Sequence, residues 1–446
     1  MYFEQIKTDG LMQWSYLVGD GNEAFVIDPR LDMGVYLEKA GRAGLQITAI
    51  FETHRNEDIL VGSAKLAERT GATVYRSKYE DPGYTYGTPI GEESVFTFGK
   101  LTLRPLHTPG HTLGHLSFAL YKDEHAYMVF TGDCLFYGGV GRTDFYGEEN
   151  LEKMTGLMHD SLFGKIRPLG DHVLVMPAHG AGSACGDGLE EMPLSTVGRE
   201  FSDTAVLPPD KDAFIALYGR ILHKNPAFET MEIRNLQPQG LDCVPYPPVL
   251  TALPADARRV DIRDLFAFSA AHYPESLFIP GDLLSSYLGW FVETSDPIVL
   301  IADNVAEETI RLAVASLARQ GFDHLAGIMP DGGLSDAAGN AQTLAHIALA
   351  SPEQYEKMDI APTLDVRKED EIEADDPVID RFCVPLQELR ERTNEVPHTQ
   401  EPVYVLCQSG ERATVAASYL AARGRDNLQV IQGGLSALEN ANGKAR

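Results

Sequence analysis

The chain has 446 residues, 44% hydrophobic and 23% charged, a globular composition too long for one ordinary domain. Thirty-seven Lys and Arg stand against 65 Asp and Glu, a formal charge of -28 that excludes binding to a nucleic-acid backbone or an anionic membrane surface. No apolar run approaches a membrane span, and the N-terminal Met-Tyr-Phe-Glu-Gln-Ile-Lys lacks a signal-peptide layout. The five scattered cysteines contain no Cys-X-X-Cys, so a cytoplasmic protein with free thiols is expected.

Strand and helix signals alternate along the first part of the chain. Ala24–Asp28 reads as a buried strand, Gln46–Phe51 as another that runs into the loop carrying His54, and Asp58–Thr70 as a helix. Tyr127–Thr131 and His172–Met176 are further buried strands, leading to Asp133 and to Pro177-Ala-His-Gly180. The candidate ligands therefore sit just past strand ends, on loops, where a layered α/β fold gathers its chemistry. Pro-rich segments between 236 and 256 mark a linker. Beyond it lies an internal repeat of about a hundred residues. Val260-Asp-Ile-Arg263 recurs as Leu364-Asp-Val-Arg367, Pro297–Ile301 as Pro402–Leu406, and Asp331-Gly-Gly-Leu334 as Gln432-Gly-Gly-Leu435. The expected organisation is one α/β domain over 1–245 and two copies of a smaller one over 250–350 and 358–446.

His54 in Phe51-Glu-Thr-His-Arg-Asn-Glu-Asp-Ile59, His111 in His107-Thr-Pro-Gly-His-Thr-Leu-Gly-His115, Asp133 in Phe130-Thr-Gly-Asp-Cys134, and His179 follow an order that resembles the metallo-β-lactamase superfamily. Its full pattern is His-X-His-X-Asp-His. Thr-Pro-Gly-His-Thr and Thr-Gly-Asp are shared with its glyoxalase II-like and persulfide dioxygenase branches. The resemblance covers roughly residues 1–240 and implies an αββα sandwich. The chain departs from the pattern where Asn56 and Ile59 stand in place of two histidines. Apolar Ile cannot ligate and Asn is a weak ligand, so a binuclear zinc site that activates water is disfavoured. The persulfide dioxygenases resembled here use a subset that matches His54, His111 and Asp133. That resemblance implies one Fe(II), rather than zinc, with about three coordination positions open. Asn56, Asp58, His115 and His179 are then expected around the ligands, and His107 and Cys134 as packing groups. Arg142, in Gly141-Arg-Thr-Asp-Phe145, is a candidate for binding a substrate carboxylate, with a salt bridge to Asp144 as its alternative.

The last repeat resembles a rhodanese domain. Cys407-Gln408-Ser409-Gly410-Glu411-Arg412 matches the active loop of that family. A short loop from strand to helix aims N–H groups at one point, and the helix N-terminus adds positive potential that favours a thiolate. Cys407 is thus the expected sulfur carrier and Arg412 the charge that receives an anionic donor. The middle copy aligns its loop as Ala302-Asp-Asn-Val-Ala-Glu307, without nucleophile or arginine, and is expected to be silent. Cys243 and Cys383 have no such context, and Cys185 is a candidate sulfur relay.

The three-part order resembles bacterial persulfide dioxygenase–sulfurtransferase fusions. It implies oxidation of a low-molecular-weight persulfide (glutathione, coenzyme A or bacillithiol type) by O2 to sulfite and thiol. Sulfane-sulfur transfer with thiosulfate or sulfite would follow at Cys407, the whole serving sulfide detoxification. The resemblance leaves a homo-oligomer open. Three alternatives stand beside it: a sulfurtransferase with a metal-free first domain, a glyoxalase II-like thioester hydrolase, and a non-enzymatic sulfur sensor.

Overall fold

In a computed structural model, described for all residues except 9, 182–188, 304–306, 340–342, 400 and 442–446, the chain divides into two compact units. The first is Met1–Pro245 with Ala318–Gly321; the second is Tyr246–Leu317 with Phe322–Arg446.

The first unit is built on two six-stranded mixed sheets. One runs in chain order through β1 (Tyr2–Thr8), β2 (Gln13–Asp20), β3 (Glu23–Ile27), β4 (Gln46–Phe51), β5 (Thr73–Ser77) and β6 (Thr88–Ile90). The other contains β7 (Phe96–Phe98), β8 (Leu101–His107), β9 (Leu116–Lys122), β10 (His125–Gly132), β11 (Leu174–Pro177) and β12 (Ser195–Thr196). Side chains alternate faces along a strand, which sorts the apolar residues. From β2, Tyr16 and Val18 join a core shared with Phe118, Val129 and Phe130 of the second sheet. Leu17, between them, joins a separate core with Tyr36 and Leu66 of the helices Gly34–Ala43 and Ser63–Thr70. Phe51 anchors the inner core at the end of β4. Its ring centroid lies 5.2 Å from Tyr75, 4.8 Å from Phe96 and 5.2 Å from Phe118.

The helix expected over Asp58–Thr70 begins only at Ser63. Tertiary partners claim the backbone groups that an earlier turn would need. Val61 N–H donates to Asn235 Oδ1, and Asn235 Nδ2 donates to the carbonyls of Asn56 and Ile59. Residues 52–62 are thereby held as a fixed loop at the mouth of β4.

The second unit holds two parallel sheets, as expected of buried Val/Ile/Leu-rich strands. The four-stranded sheet is ordered β14 (Leu277–Phe278), β13 (Arg258–Asp261), β15 (Ile298–Ala302), β16 (Leu325–Pro330). The five-stranded sheet is ordered β17 (Ala348–Ala350), β21 (Leu428–Ile431), β20 (Val403–Leu406), β18 (Thr363–Asp365), β19 (Arg381–Cys383). The sequence repeat is visible in bond geometry. Arg263 Nη2 meets Asp261 Oδ2 at 2.7 Å, and Arg367 Nη2 meets Asp365 Oδ2 at 2.7 Å, each pair buried just past the equivalent strand. No helix among the described residues is long and apolar enough to cross a membrane.

Phe51→Ala removes the ring that joins the two sheets and should destabilise the first unit by ~3–5 kcal/mol. Chemical denaturation of wild type and variant measures it; a change under ~1 kcal/mol would contradict this packing role.

Candidate metal centre

Each candidate ligand is oriented by a hydrogen bond on the side away from the centre. Asp28, past the end of β3, accepts from Thr53 N–H at 2.8 Å and from the Thr53 hydroxyl at 2.7 Å. The hydroxyl proton being committed to Asp28, the Thr53 oxygen accepts from Nδ1–H of His54 at 2.8 Å. That leaves the His54 lone pair on Nε2, facing the site. His111 donates from Nδ1 to the carbonyl of Arg142 at 2.9 Å, with the same consequence. Asp133 follows Gly132, whose φ of 51° suits glycine. A Cβ on Gly132 would lie 2.6 Å from His115 Nε2 and 2.7 Å from Thr53 Oγ1. The Asp133 N–H donates to His115 Nε2 at 3.1 Å, and His115 is held through Nδ1 by Thr108 Oγ1 at 2.9 Å.

Ligand atoms of His54, His111 and Asp133 all lie within 4.8 Å of one another. Asp133 Oδ2 is 4.0 Å from His54 Nε2 and 3.6 Å from His111 Nε2. All three atoms are buried, and none has a hydrogen-bond partner among the described residues. A buried polar atom left so costs ~1–3 kcal/mol, and a cation between them would satisfy all three at once. Two imidazoles and a carboxylate are a suitable donor set for a divalent transition metal. Burial alone lowers a histidine; at His111 the Glu57 and Asp133 carboxylates override it and push the group up to about 9. At His54 burial prevails, aided by the neighbouring His111, and holds it well below its ordinary value.

The place of a second ion is filled differently. Burial opposes protonation of His179, but it donates from Nδ1 to Asp133 Oδ1 and its Nε2 lies 2.9 Å from Asp58 Oδ2; the two carboxylates hold it well above its ordinary value. Ile59 is fully buried, and Asn56 turns its amide to the His54 carbonyl at 3.4 Å. Asn56, Asp58, His115 and His179 thus lie around the three-residue cluster and not in it.

Two further findings modify the sequence reading. Arg142 does not reach toward a substrate. Its guanidinium makes a two-bond pair with Asp144, 2.7 Å each, the alternative that the sequence offered, and donates to the carbonyls of Leu222 and His223. Glu57, which sequence reasoning passed over as the X of the motif, is buried with its carboxylate 3.3 Å from His111 Nε2 and 3.8 Å from His54 Nε2. Cys134 is a packed thiol pushed up to about 12 by burial. His107 stacks on Tyr79 with centroids 3.8 Å apart. Cys185, the candidate relay, lies outside the described residues, as does 304–306 of the middle repeat's loop.

The second unit carries the other candidate group. Cys407 is buried at the end of β20, and its Sγ accepts from Gly410 N–H at 3.1 Å. Gly410, at φ 99°, turns the chain into the helix Glu411–Ala421. Gln408 and Ser409 are exposed beside it, and Gln408 Nε2 donates to Ser436 Oγ at 2.9 Å. Arg412 does not stand open: Glu371 pairs with both its terminal nitrogens, at 2.7 and 2.6 Å. In the middle repeat buried Ala302 ends β15, and Glu307 opens the following helix.

Residues 8–182 match the family model of the metallo-beta-lactamase superfamily. A hydroxyacylglutathione hydrolase from Polaromonas sp. (strain JS666) is 30% identical over 234 residues, 51% of this chain and 79% of that protein. For several other hydroxyacylglutathione hydrolases the match spans about 60% of their length. The solved metallo-beta-lactamase of Staphylococcus aureus subsp. aureus COL is 29% identical and superposes with a TM-score of 0.65, covering 74% of this chain and 98% of its own. ETHE1 from Myxococcus xanthus is 27% identical, with 53% of this chain and 98% of its own covered at a TM-score of 0.44. The chain belongs to the metallo-beta-lactamase superfamily, with the corresponding sandwich in its first unit.

Two outcomes follow from the orienting bonds. In Asp28→Asn the new amide donates to Thr53, whose hydroxyl then donates to His54 Nδ1 and drives the His54 proton onto Nε2. Metal affinity should fall on the order of 10–100-fold, measured by chelator competition; unchanged affinity would dismiss the relay. A metal must also displace the His111 proton below about pH 9. Apparent affinity should therefore weaken about tenfold per unit as pH drops from 9. The fall should steepen near pH 7, where burial-raised Asp28, at about 7, also protonates. Titrations at three pH values test this, and a flat profile would contradict it.

Proposed function

We propose that the first unit holds one iron ion and oxidises the terminal sulfur of a small-thiol persulfide with dioxygen. We further propose that Cys407 transfers sulfane sulfur to or from thiosulfate or sulfite. The reaction balances as persulfide, O2 and one water giving thiol and sulfite with two protons: the sulfane sulfur loses four electrons, and O2 takes them. The observation that carries the reading is the asymmetry of the site. Three buried donor atoms converge without hydrogen-bond partners, while the companion position is closed by Ile59 and the Asp58–His179 pair. Bound there, Fe(II) would supply reactivity toward O2 with vacant positions beside it.

The chain's own residues have distinct tasks. Asp28 and Thr53 hold His54 in its ligating tautomer, and the Arg142 carbonyl does the same for His111. Arg55 and Arg76 line a narrow cleft that reaches His54, along with Glu80 and Tyr84. Arg55 and Arg76 face Glu232 at 3.6 Å and Asp81 at 3.8 Å, so the charge of this cleft is largely balanced by the chain itself. At Cys407 the Gly410 N–H faces the sulfur that would accept a sulfane atom.

The name of the relatives favours a second reading, hydrolysis of a glutathione thioester. Ile59 and the His179 bridge count against it, since they remove donors for the second ion.

Anaerobically purified protein should carry about one iron per chain, consume O2 with glutathione persulfide and form sulfite. Cys407→Ser should abolish thiosulfate transfer and leave O2 uptake intact. Thioester hydrolysis without O2 uptake would replace the oxygenase reading with the second one. Loss of O2 uptake in Cys407→Ser would refute two independent sites.

A further inference from the structure

We propose that Glu57 is a fourth protein ligand of the metal centre, making its donor set two imidazoles and two carboxylates; the inference rests on the single-ion reading. Nothing in the superfamily pattern assigns this position. The argument begins with the loop. Asn235 holds the carbonyls of Asn56 and Ile59, and Asn56 folds its own amide onto the His54 carbonyl. The residue between Asn56 and Asp58 is thereby turned inward, and Glu57 is 1% exposed.

Its carboxylate stands 3.3 Å from His111 Nε2 and 3.8 Å from His54 Nε2. Both histidines donate from Nδ1 to fixed acceptors, so each Nε2 is the atom turned toward the centre. A carboxylate and two such nitrogens are held together at these distances by positive charge, either a proton on His111 or a cation in its place. Donors bound at ~2.1 Å stand ~3.0–3.4 Å apart when adjacent. The separations here, 3.3 and 3.8 Å for Glu57 and 3.6 and 4.0 Å for Asp133, run from that range to slightly beyond it. Glu57 faces the two histidines through different oxygens, Oε1 toward His111 and Oε2 toward His54, so a rotation of its carboxylate would bring one oxygen toward an ion held by the other three residues.

A second carboxylate alters what the centre accepts. Held by two imidazoles and two carboxylates, a divalent ion would be charge-neutral, and the site would favour harder, oxygen-loving metals. Such a donor set would leave fewer positions for substrate than the three-residue set alone.

The test titrates Co(II) into anaerobic full-length protein and follows its visible absorption, with a competing chelator to fix affinity. Wild type should bind one equivalent. Glu57→Gln and Glu57→Ala should bind on the order of 10–100-fold more weakly, with altered band positions. Thermal unfolding of the metal-free proteins reports whether each variant folds; should the alanine fail, the near-isosteric glutamine decides. Affinity and spectrum unchanged in Glu57→Gln would overturn the assignment of Glu57 while leaving the three-residue centre standing. A wild type that takes up no Co(II) would overturn both.

Discussion

Buried lone pairs and carboxylates aimed at one small volume make a demand that apolar packing cannot meet. His54 Nε2, His111 Nε2 and Asp133 Oδ2 converge with no hydrogen-bond partner among the described residues, and the Glu57 carboxylate faces the same space. Such an arrangement persists only because surrounding elements over-determine it. The two-sheet core fixes the ends of β3, β4 and β10; Asp28 through Thr53, the Arg142 carbonyl and His179 lock the three side chains' directions, and His115 holds the Asp133 backbone N–H. The fold holds the donors in place, and a cation would satisfy them.

The same logic explains the companion position. Where the superfamily pattern calls for further histidines, this chain has Asn56 and Ile59, and the remaining carboxylates are bridged by His179. A positively charged imidazole between Asp58 and Asp133 can balance two buried carboxylates much as a second ion would. It leaves Asp133 with one oxygen for His179 and the other for the triad.

In the second unit, the notable contacts are made by backbone. Two copies of one parallel-sheet design share the buried Asp261–Arg263 and Asp365–Arg367 pairs. They differ at the strand-to-helix loop, where one copy has Ala302 and the other Cys407. Only the second presents an N–H to sulfur, from Gly410. Glu371 on Arg412 shows that charge near this loop is already balanced internally, a property no reading of the six-residue loop would reveal.

The primary structure by itself determined the α/β alternation, the sandwich implied by ordered motifs at strand ends, and the trio His54, His111 and Asp133. Each of these is a local pattern: period-two apolar strands, turn residues, and a ligand one to four positions past a strand end. The outcomes that depended on long-range contact were decided only in three dimensions. Asn235 shortened the expected helix by taking backbone groups 176 and 179 residues away. Asp144 and two distant carbonyls claimed Arg142. Glu57 faces His111 and His54 from a loop pinned from outside, whereas spacing alone reads it as a filler between motif residues. Orientation of a side chain in an irregular loop follows from the partners its neighbours find, and those partners are remote in sequence.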